Sequence, residues 1–167
     1  MITIIVATDL QGAIGLDNHL LFHMPADMRH FKTLTTGHTV LMGRKTFDSL
    51  PKGALPNRRN LVLSRDRSLR IEGAETFTSI KEALESCTKD EKVFILGGES
   101  IYRQAMALAD EIELTLIHTK APKADAYFPE ISPDIWQEAE RTELSKDEKN
   151  PFDYAFVRLI RKERQEN

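Results

Sequence analysis

Cysteine is nearly absent. The 167 residues contain one, Cys87, which excludes a disulfide within the chain and fits a reducing compartment. Long apolar runs are missing too: nothing approaches the roughly 20 residues needed to span a bilayer. The apolar stretch Ile2–Ala7 is short and has neither a basic leader nor a cleavage site. There is no excess of positive charge, with 23 Lys and Arg against 26 Asp and Glu and a net charge of −3. That balance argues against a nucleic-acid partner, because such binders usually present a basic face. No repeat, linker or low-complexity block interrupts the chain. Five histidines (His19, His23, His30, His38 and His118) share no helical or strand ligand spacing, and no H-E-x-x-H occurs. They read as surface or loop residues, with no metal site expected. Together these absences predict a soluble, cytoplasmic protein with no membrane or nucleic-acid partner, and a monomer is expected. One domain over residues 1–167 is expected, since a domain near this size buries roughly 70% of its unfolded surface.

The positive signals describe an α/β domain. Ile2–Ala7 is β-branched and reads as a buried strand, of the kind found in sheets covered on both faces. Thr8 to Met24 is a long connection with no period of its own. Its apolar content (Ile14, Leu16, Leu20, Leu21, Phe22) is too high for a free surface excursion, and it reads as a segment that closes over a ligand. Further strands are expected at Thr39–Met42, Asn60–Leu63, Ala74–Phe77, Lys92–Leu96, Glu111–Ile117, Trp136–Leu144 and Tyr154–Ile160. The last two, joined without a helix, predict an antiparallel pair ending a mostly parallel sheet. A loop runs from Pro51 to Asn60. Helices are expected from Pro25, from Arg44 to about Ser49, over Ser79–Cys87 and over Glu99–Ala109, which makes four. Ser79 with Glu82 has capping-box spacing, and Ile80, Ala83, Leu84 and Cys87 form the inner face of that helix. Cys87 there is a small side chain rather than a nucleophile. Ile101, Ala105 and Leu108 form the inner face of the last helix, and Arg161–Asn167 is a charged, solvated tail.

Candidate chemistry begins at Asp27. Pro25 suits a first helical turn, where its missing N–H would be unpaired anyway. At 100° per residue Asp27 then falls between Phe31 and Leu34, with Met28 at the edge of the same apolar stripe. A first-turn acid that merely served the helix dipole would be expected to face solvent; one inside the stripe points to a ligand. Arg44 and Lys45 open a helix, where positive charge conflicts with the dipole. A bound anion would resolve the conflict, and a solvated pair of cations is the alternative. Ser64-Arg65-Asp66-Arg67 follows a strand directly, at the carboxyl edge where open α/β sheets bind ligands. Gly97-Gly98 between strand and helix resembles a phosphate cradle, although it is neither a dinucleotide fingerprint nor a P-loop.

The run Ala13-Ile14-Gly15, Asn18 and Met24-Pro25-Ala26-Asp27-Met28 with Phe31-Lys32 resembles the substrate-site signature of the dihydrofolate reductase family. So do Val40-Leu41-Met42-Gly43-Arg44-Lys45-Thr46-Phe47 and Ile95-Leu96-Gly97-Gly98 with Ile101-Tyr102. These segments keep the family's order from Ile2 to about Arg161. The resemblance implies reduction of 7,8-dihydrofolate by NADPH, hydride going to C6 and a proton to N5, with antifolate inhibitors as further ligands. It implies that Asp27 receives the pterin's paired N–H donors, that Thr115 hydrogen-bonds Asp27, and that Ile5, Ala7, Met28, Phe31, Leu50, Leu55, Leu96 and Tyr102 wall the substrate. Arg58 would hold the glutamate carboxylate, with Arg59 the competing candidate. Ala7, Ile14, the Gly15–His19 backbone including Asn18, Leu96 and Tyr102 would meet the nicotinamide. Gly43, Lys45, Thr46, Ser49, Gly97, Gly98, Glu99, Ser100 and Ile101 would approach the phosphates, and Arg44, Leu63, Ser64 and Arg65 the adenosine 2′-phosphate. By the same resemblance Gly97–Gly98 holds a cis peptide. Two departures stand out. Glu99 replaces a third glycine common in the family. Phe22, after Leu21 rather than proline, stands where many members have a tryptophan, whose N–H can order a water near the pterin. Two other readings remain: the pyrimidine reductase of riboflavin synthesis, and a folate-binding module without catalysis.

Overall fold

The computed structural model describes residues 1–17 and 19–162. In chain order its elements are β1 (Ile2–Thr8), β2 (Ala13–Leu16), β3 (His19–Leu20), α1 (Pro25–Thr35), β4 (Thr39–Gly43), α2 (Arg44–Asp48), β5 (Arg59–Leu63), β6 (Ala74–Phe77), α3 (Ile80–Glu85), β7 (Val93–Ile95), α4 (Glu99–Ala105), β8 (Glu111–Ile117), β9 (Ala126–Tyr127), β10 (Trp136–Leu144) and β11 (Tyr154–Arg161). A strand as apolar as β1 must be covered on both faces, and it lies inside an eight-stranded sheet of order β10-β11-β8-β1-β7-β4-β5-β6. It runs parallel to β7 and β8. β4 is parallel to β7 and β5, and β5 to β6. β11 runs antiparallel to both β8 and β10. The mostly parallel sheet with an antiparallel C-terminal pair and four helices is therefore as expected.

Successive side chains of a strand point to opposite faces, and this alternation splits the core. Ile4 and Val6 join Leu41, Leu61, Ile95 and Ile112 with α3 (Ile80, Ala83) and α4 (Tyr102, Ala105). Ile5 joins Val40, Met42, Val62 and Phe94 with Phe31 and Leu34 of α1 and Phe47 of α2. Helices thus cover both faces, as a parallel sheet requires.

Several expectations need correction. The segment Thr8–Met24 contains β2 and β3, which with β9 form a second sheet of order β3-β2-β9. Strands of two to four residues are too short to show a period, so pairing creates them, β2 with its neighbour β3 and with the distant β9. α4 stops at Ala105 rather than Ala109, leaving Leu108 44% exposed. Leu108 and Ala109 both donate to the Ala105 carbonyl, which tightens and ends the turn. Arg161 then ties down the exit, donating to the carbonyls of Ala109 (2.9 Å) and Met106 (2.5 Å) over the Trp136 ring. Arg161 is thus the last residue of β11 and not part of a solvated tail; residues 163–167 of that tail lie outside the described residues. α3 ends at Glu85, with Cys87 in the turn beyond. Only half of the capping box forms: Ser79 Oγ accepts from Glu82 N–H, while the Glu82 carboxylate takes the Thr78 hydroxyl instead. Among the described residues no helix is long and apolar enough to cross a membrane.

Candidate active site

α1 and β8 bring together two side chains 88 residues apart. Thr115 Oγ1 donates to Asp27 Oδ1 at 2.6 Å. Thr115 is buried and Asp27 half-buried. Burial raises the Asp27 carboxyl above its ordinary range, against the lowering effects of the Thr115 hydrogen bond and the His30 charge. The start of α1 is anchored by the Ala26 N–H, which donates to Asn150 Oδ1 at 3.1 Å. Met28 lies outside the apolar face, 62% exposed, because the inward arc of a helix this short is filled by Phe31, Leu34 and Thr35. His30 is neither loop nor free surface. Its ring stacks on Phe156 of β11 at 3.8 Å, and burial lowers its proton affinity against the pull of Asp27.

The residues expected around the substrate fall into two adjoining apolar groups. Ile5, Phe31, Leu50, Leu55 and Leu96 pack together beside α1 and α2. Ala7 and Phe22 pack with Met24, Ile117 and Tyr154, and Phe22 meets Phe152 edge to face at 5.9 Å.

The residues expected around the cofactor converge more completely. A cleft of about 950 Å³ is lined by Ala7, Ile14, Gly15, His19, Gly43, Arg44, Lys45, Thr46, Ser49, Leu63, Ser64, Arg65, Leu96, Gly98, Glu99, Ser100, Ile101 and Tyr102. Of the expected set Gly97 does not line it, and Asn18 lies outside the described residues. Ala7 and Leu96 belong both to these apolar groups and to the cleft, so the apolar walls and the cleft are continuous. Tyr102 is 5% exposed, and its hydroxyl, 2.9 Å from the carbonyls of both Ile5 and Leu96, bridges them. Burial, then the Asp27 charge, pushes its ionisation upward.

The glycine pair has a steric reason. The Gly97–Gly98 peptide is cis and Gly97 has φ +99°. A Cβ on Gly97 would stand 2.6 Å from the Tyr102 ring. Gly97 also accepts from the Gly43 N–H at 2.8 Å, joining β4 to the turn. Glu99 is accommodated by turning aside: its carboxylate accepts the Tyr127 N–H at 2.6 Å and pairs with Arg103 at 3.1 Å.

The structure separates the two neighbouring arginines. Arg59 is ion-paired to Glu75 at 2.6 Å and Glu91 at 2.9 Å. Arg58 donates to the Pro56 carbonyl and the Thr35 hydroxyl; among the described residues it has no carboxylate partner, and burial weakens its hold on its proton. Arg58 is the arginine left able to take a ligand's carboxylate.

Sequence reasoning missed Thr78 and Ser79 just after β6, Asp125 just before β9 and Ala126 within it, all of which line the cleft. The rule that pointed to Ser64, position at the carboxyl end of a strand, also applies to Thr78. Nothing local marks Asp125, which enters through the pairing of β9 with β2.

A family model described as dihydrofolate reductase matches residues 1–161. The dihydrofolate reductase of Bacillus subtilis (strain 168) is 38% identical over 162 residues, covering 97% of this chain and 95% of that protein. That of Staphylococcus aureus (strain Mu50 / ATCC 700699) is 41% identical over 161 residues, covering 96% and 98%. The solved structure of dihydrofolate reductase from Enterococcus faecalis, complexed with NADP(H) and RAB-propyl, superposes with a TM-score of 0.90 at 31% identity, covering 98% of this chain and 97% of that one. With the acid, the cleft and the glycine turn in the family's order along one continuous match, this chain belongs to the dihydrofolate reductase family.

Proposed function

We propose that this chain reduces 7,8-dihydrofolate to tetrahydrofolate with NADPH, and that Asp27 anchors the pterin. The Asp27–Thr115 pair carries the reading: a half-buried carboxylate to which, among the described residues, only Thr115 hydrogen-bonds. Its remaining capacity suits the ring N–H and amino group that the pterin presents side by side. Low local dielectric strengthens such a pair. Antifolate inhibitors with the same paired donors would compete for it. Ile5, Phe31, Leu50 and Leu55 supply the apolar wall, and Arg58 takes the glutamate carboxylate. A pyrimidine without that tail would leave Arg58 unmatched, which with the family match disfavours the riboflavin-pathway alternative.

The cleft fits a phosphorylated dinucleotide. Arg65 has no ion-pair partner among the described residues, and Arg44 has only an exposed one, Asp48 at 3.6 Å. With Ser64 beside them, the two cations match a dianionic 2′-phosphate, while Thr46 and Gly98 face the pyrophosphate. NADPH, when bound, supplies the hydride delivered to C6. Ile14, Gly15 and His19 would cover its nicotinamide and exclude water, and Tyr102 and Leu96 would help hold it. Asp27, ionised beside the pterin, favours a proton at N5. Phe22 has no donor, so the proton arrives through water rather than from that side chain.

The direct test is loss of NADPH absorbance on adding dihydrofolate. A protein that binds NADPH but shows no dihydrofolate-dependent oxidation would refute the reading. Replacing both Arg44 and Arg65 by Ala should weaken NADPH on the order of 10-fold, the contacts being partly exposed and screened. NADH should be little affected. Equal losses for both cofactors in a binding titration would place the 2′-phosphate elsewhere.

A further inference from the structure

Asp9 is 1% exposed, and no role above uses it. Its Oδ1 accepts the N–H of Gln11 at 2.8 Å and of Ala13 at 2.9 Å. Its Oδ2 accepts the N–H of Ala121 at 2.8 Å. Its own N–H donates to the Ala13 carbonyl, and its carbonyl accepts from Gly12 N–H and the Thr8 hydroxyl. Next to it, Leu10 N–H donates to the Thr119 carbonyl at 3.0 Å. A carboxylate is costly to bury unless its lone pairs are filled, and here three backbone N–H groups fill them. Those groups come from two segments 108 or more residues apart, one carrying β2 and β3, the other β9.

The same two segments meet again farther out. Phe128 N–H donates to the Gly12 carbonyl at 2.8 Å and Asp125 N–H to the Gly15 carbonyl at 3.0 Å. Asp17 N–H donates to Asp125 Oδ2 at 3.0 Å. Asp17 and Asp125 are both exposed, so water competes for this last bond and weakens it. The clamp is therefore buried and charged where the chain leaves β1, and open at its far end. Ala7, two residues before Asp9, and Ile14 and Gly15 just beyond it all line the cleft.

We propose that Asp9 is a positioning residue of this reductase: its carboxylate clamps both segments at a common hinge and so sets where Ile14 and Gly15 stand over the cleft. The nicotinamide side of the cleft is taken from the proposed function, on which this inference rests. Asp9→Asn keeps an oxygen for Gln11 and Ala13 but turns an NH₂ toward the Ala121 N–H. It removes this buried link between the segments while preserving the local turn and leaving the backbone bonds from Leu10, Phe128 and Asp125 in place. Ala121→Pro removes the same link from the other side. Pro122 already restricts residue 121 to extended conformations, which proline can adopt.

Amide hydrogen exchange on the free protein tests the clamp without any turnover. In both variants, exchange at Ala13 and Gly15 should accelerate roughly 10-fold or more, the loss expected for one charge-assisted hydrogen bond. Exchange at Leu41 and Leu61, in the main sheet, should not change. Single-turnover hydride transfer should slow by about 10-fold, with the dihydrofolate KM within about twofold of wild type. Variants with wild-type exchange and transfer rates would overturn the proposal. So would uniform acceleration across the sheet, which marks a stability effect alone. If the wild type itself failed to oxidise NADPH with dihydrofolate, the functional reading would fall, whereas the exchange data would still judge the clamp.

Discussion

Asp27→Asn should lower turnover near neutral pH by about 10²–10⁴-fold, the usual cost of losing one group in general acid–base catalysis, while NADPH affinity survives. Asparagine keeps the shape and can still accept from the Thr115 hydroxyl, so the change isolates the negative charge. In the proposed function that charge would hold the pterin's paired donors and raise the proton affinity of N5. The site then shares one proton between carboxyl and N5 and titrates as a pair. Because burial raises the Asp27 carboxyl, the wild type should stay active up to that raised value and slow as pH climbs through it. The variant, relying on solvent to protonate N5, should regain rate only as pH falls.

Stability separates this role from a structural one. A carboxyl whose folded pKa lies above its unfolded value contributes fully below the unfolded pKa and loses that contribution as pH rises through the folded one. Above that folded pKa the ionised Asp27 therefore opposes folding, and Asp27→Asn should there melt no lower than wild type. Its advantage should shrink on acidification. Near-normal turnover at pH 7, or a lowered melting point above that folded pKa, would return Asp27 to the role of a helix-start acid.

Arg58→Ala should weaken dihydrofolate by about 10–100-fold, since hydrogen bonds to charged groups contribute about 1.5–3 kcal/mol, and a pterin lacking the glutamate tail should hardly notice. The guanidinium is already oriented by the Pro56 carbonyl and the Thr35 hydroxyl, so little order need be gained on binding. Arg59→Ala should behave differently. It leaves Glu75 and Glu91 without their cation and should lower stability with little effect on the folate KM. Equal weakening of tailed and tail-less substrates by Arg58→Ala would make that side chain structural.

Much of this protein was legible in the sequence because its main elements follow local rules. β1 is β-branched except at Ala7, α1 has its proline at the first turn and an apolar arc, and β8 alternates apolar with polar residues from Glu111 to Leu116. Periodicity of that length survives tertiary context, so the sheet, its antiparallel end and the place of Asp27 could be read directly. The family's motifs added the cofactor-side residues, which require only their order along the chain.

What the sequence could not decide were relations between distant segments. β2, β3 and β9 are too short to carry a pattern and exist because they pair. The turn after α4 is tied down by the Arg161 guanidinium, which reaches the Met106 and Ala109 carbonyls from more than 50 residues away. Glu82 has the spacing of a capping box yet bonds Thr78. Arg58 and Arg59 are chemically identical neighbours, and only the fold, by giving Glu75 and Glu91 to Arg59, leaves Arg58 without a carboxylate partner among the described residues. Asp9 looks like a turn residue until Ala121 arrives at its second oxygen. Local sequence determines which elements form, because propensity and period act over a few residues. Which charges are satisfied and which remain available is settled only by packing, because a partner's position depends on the whole chain.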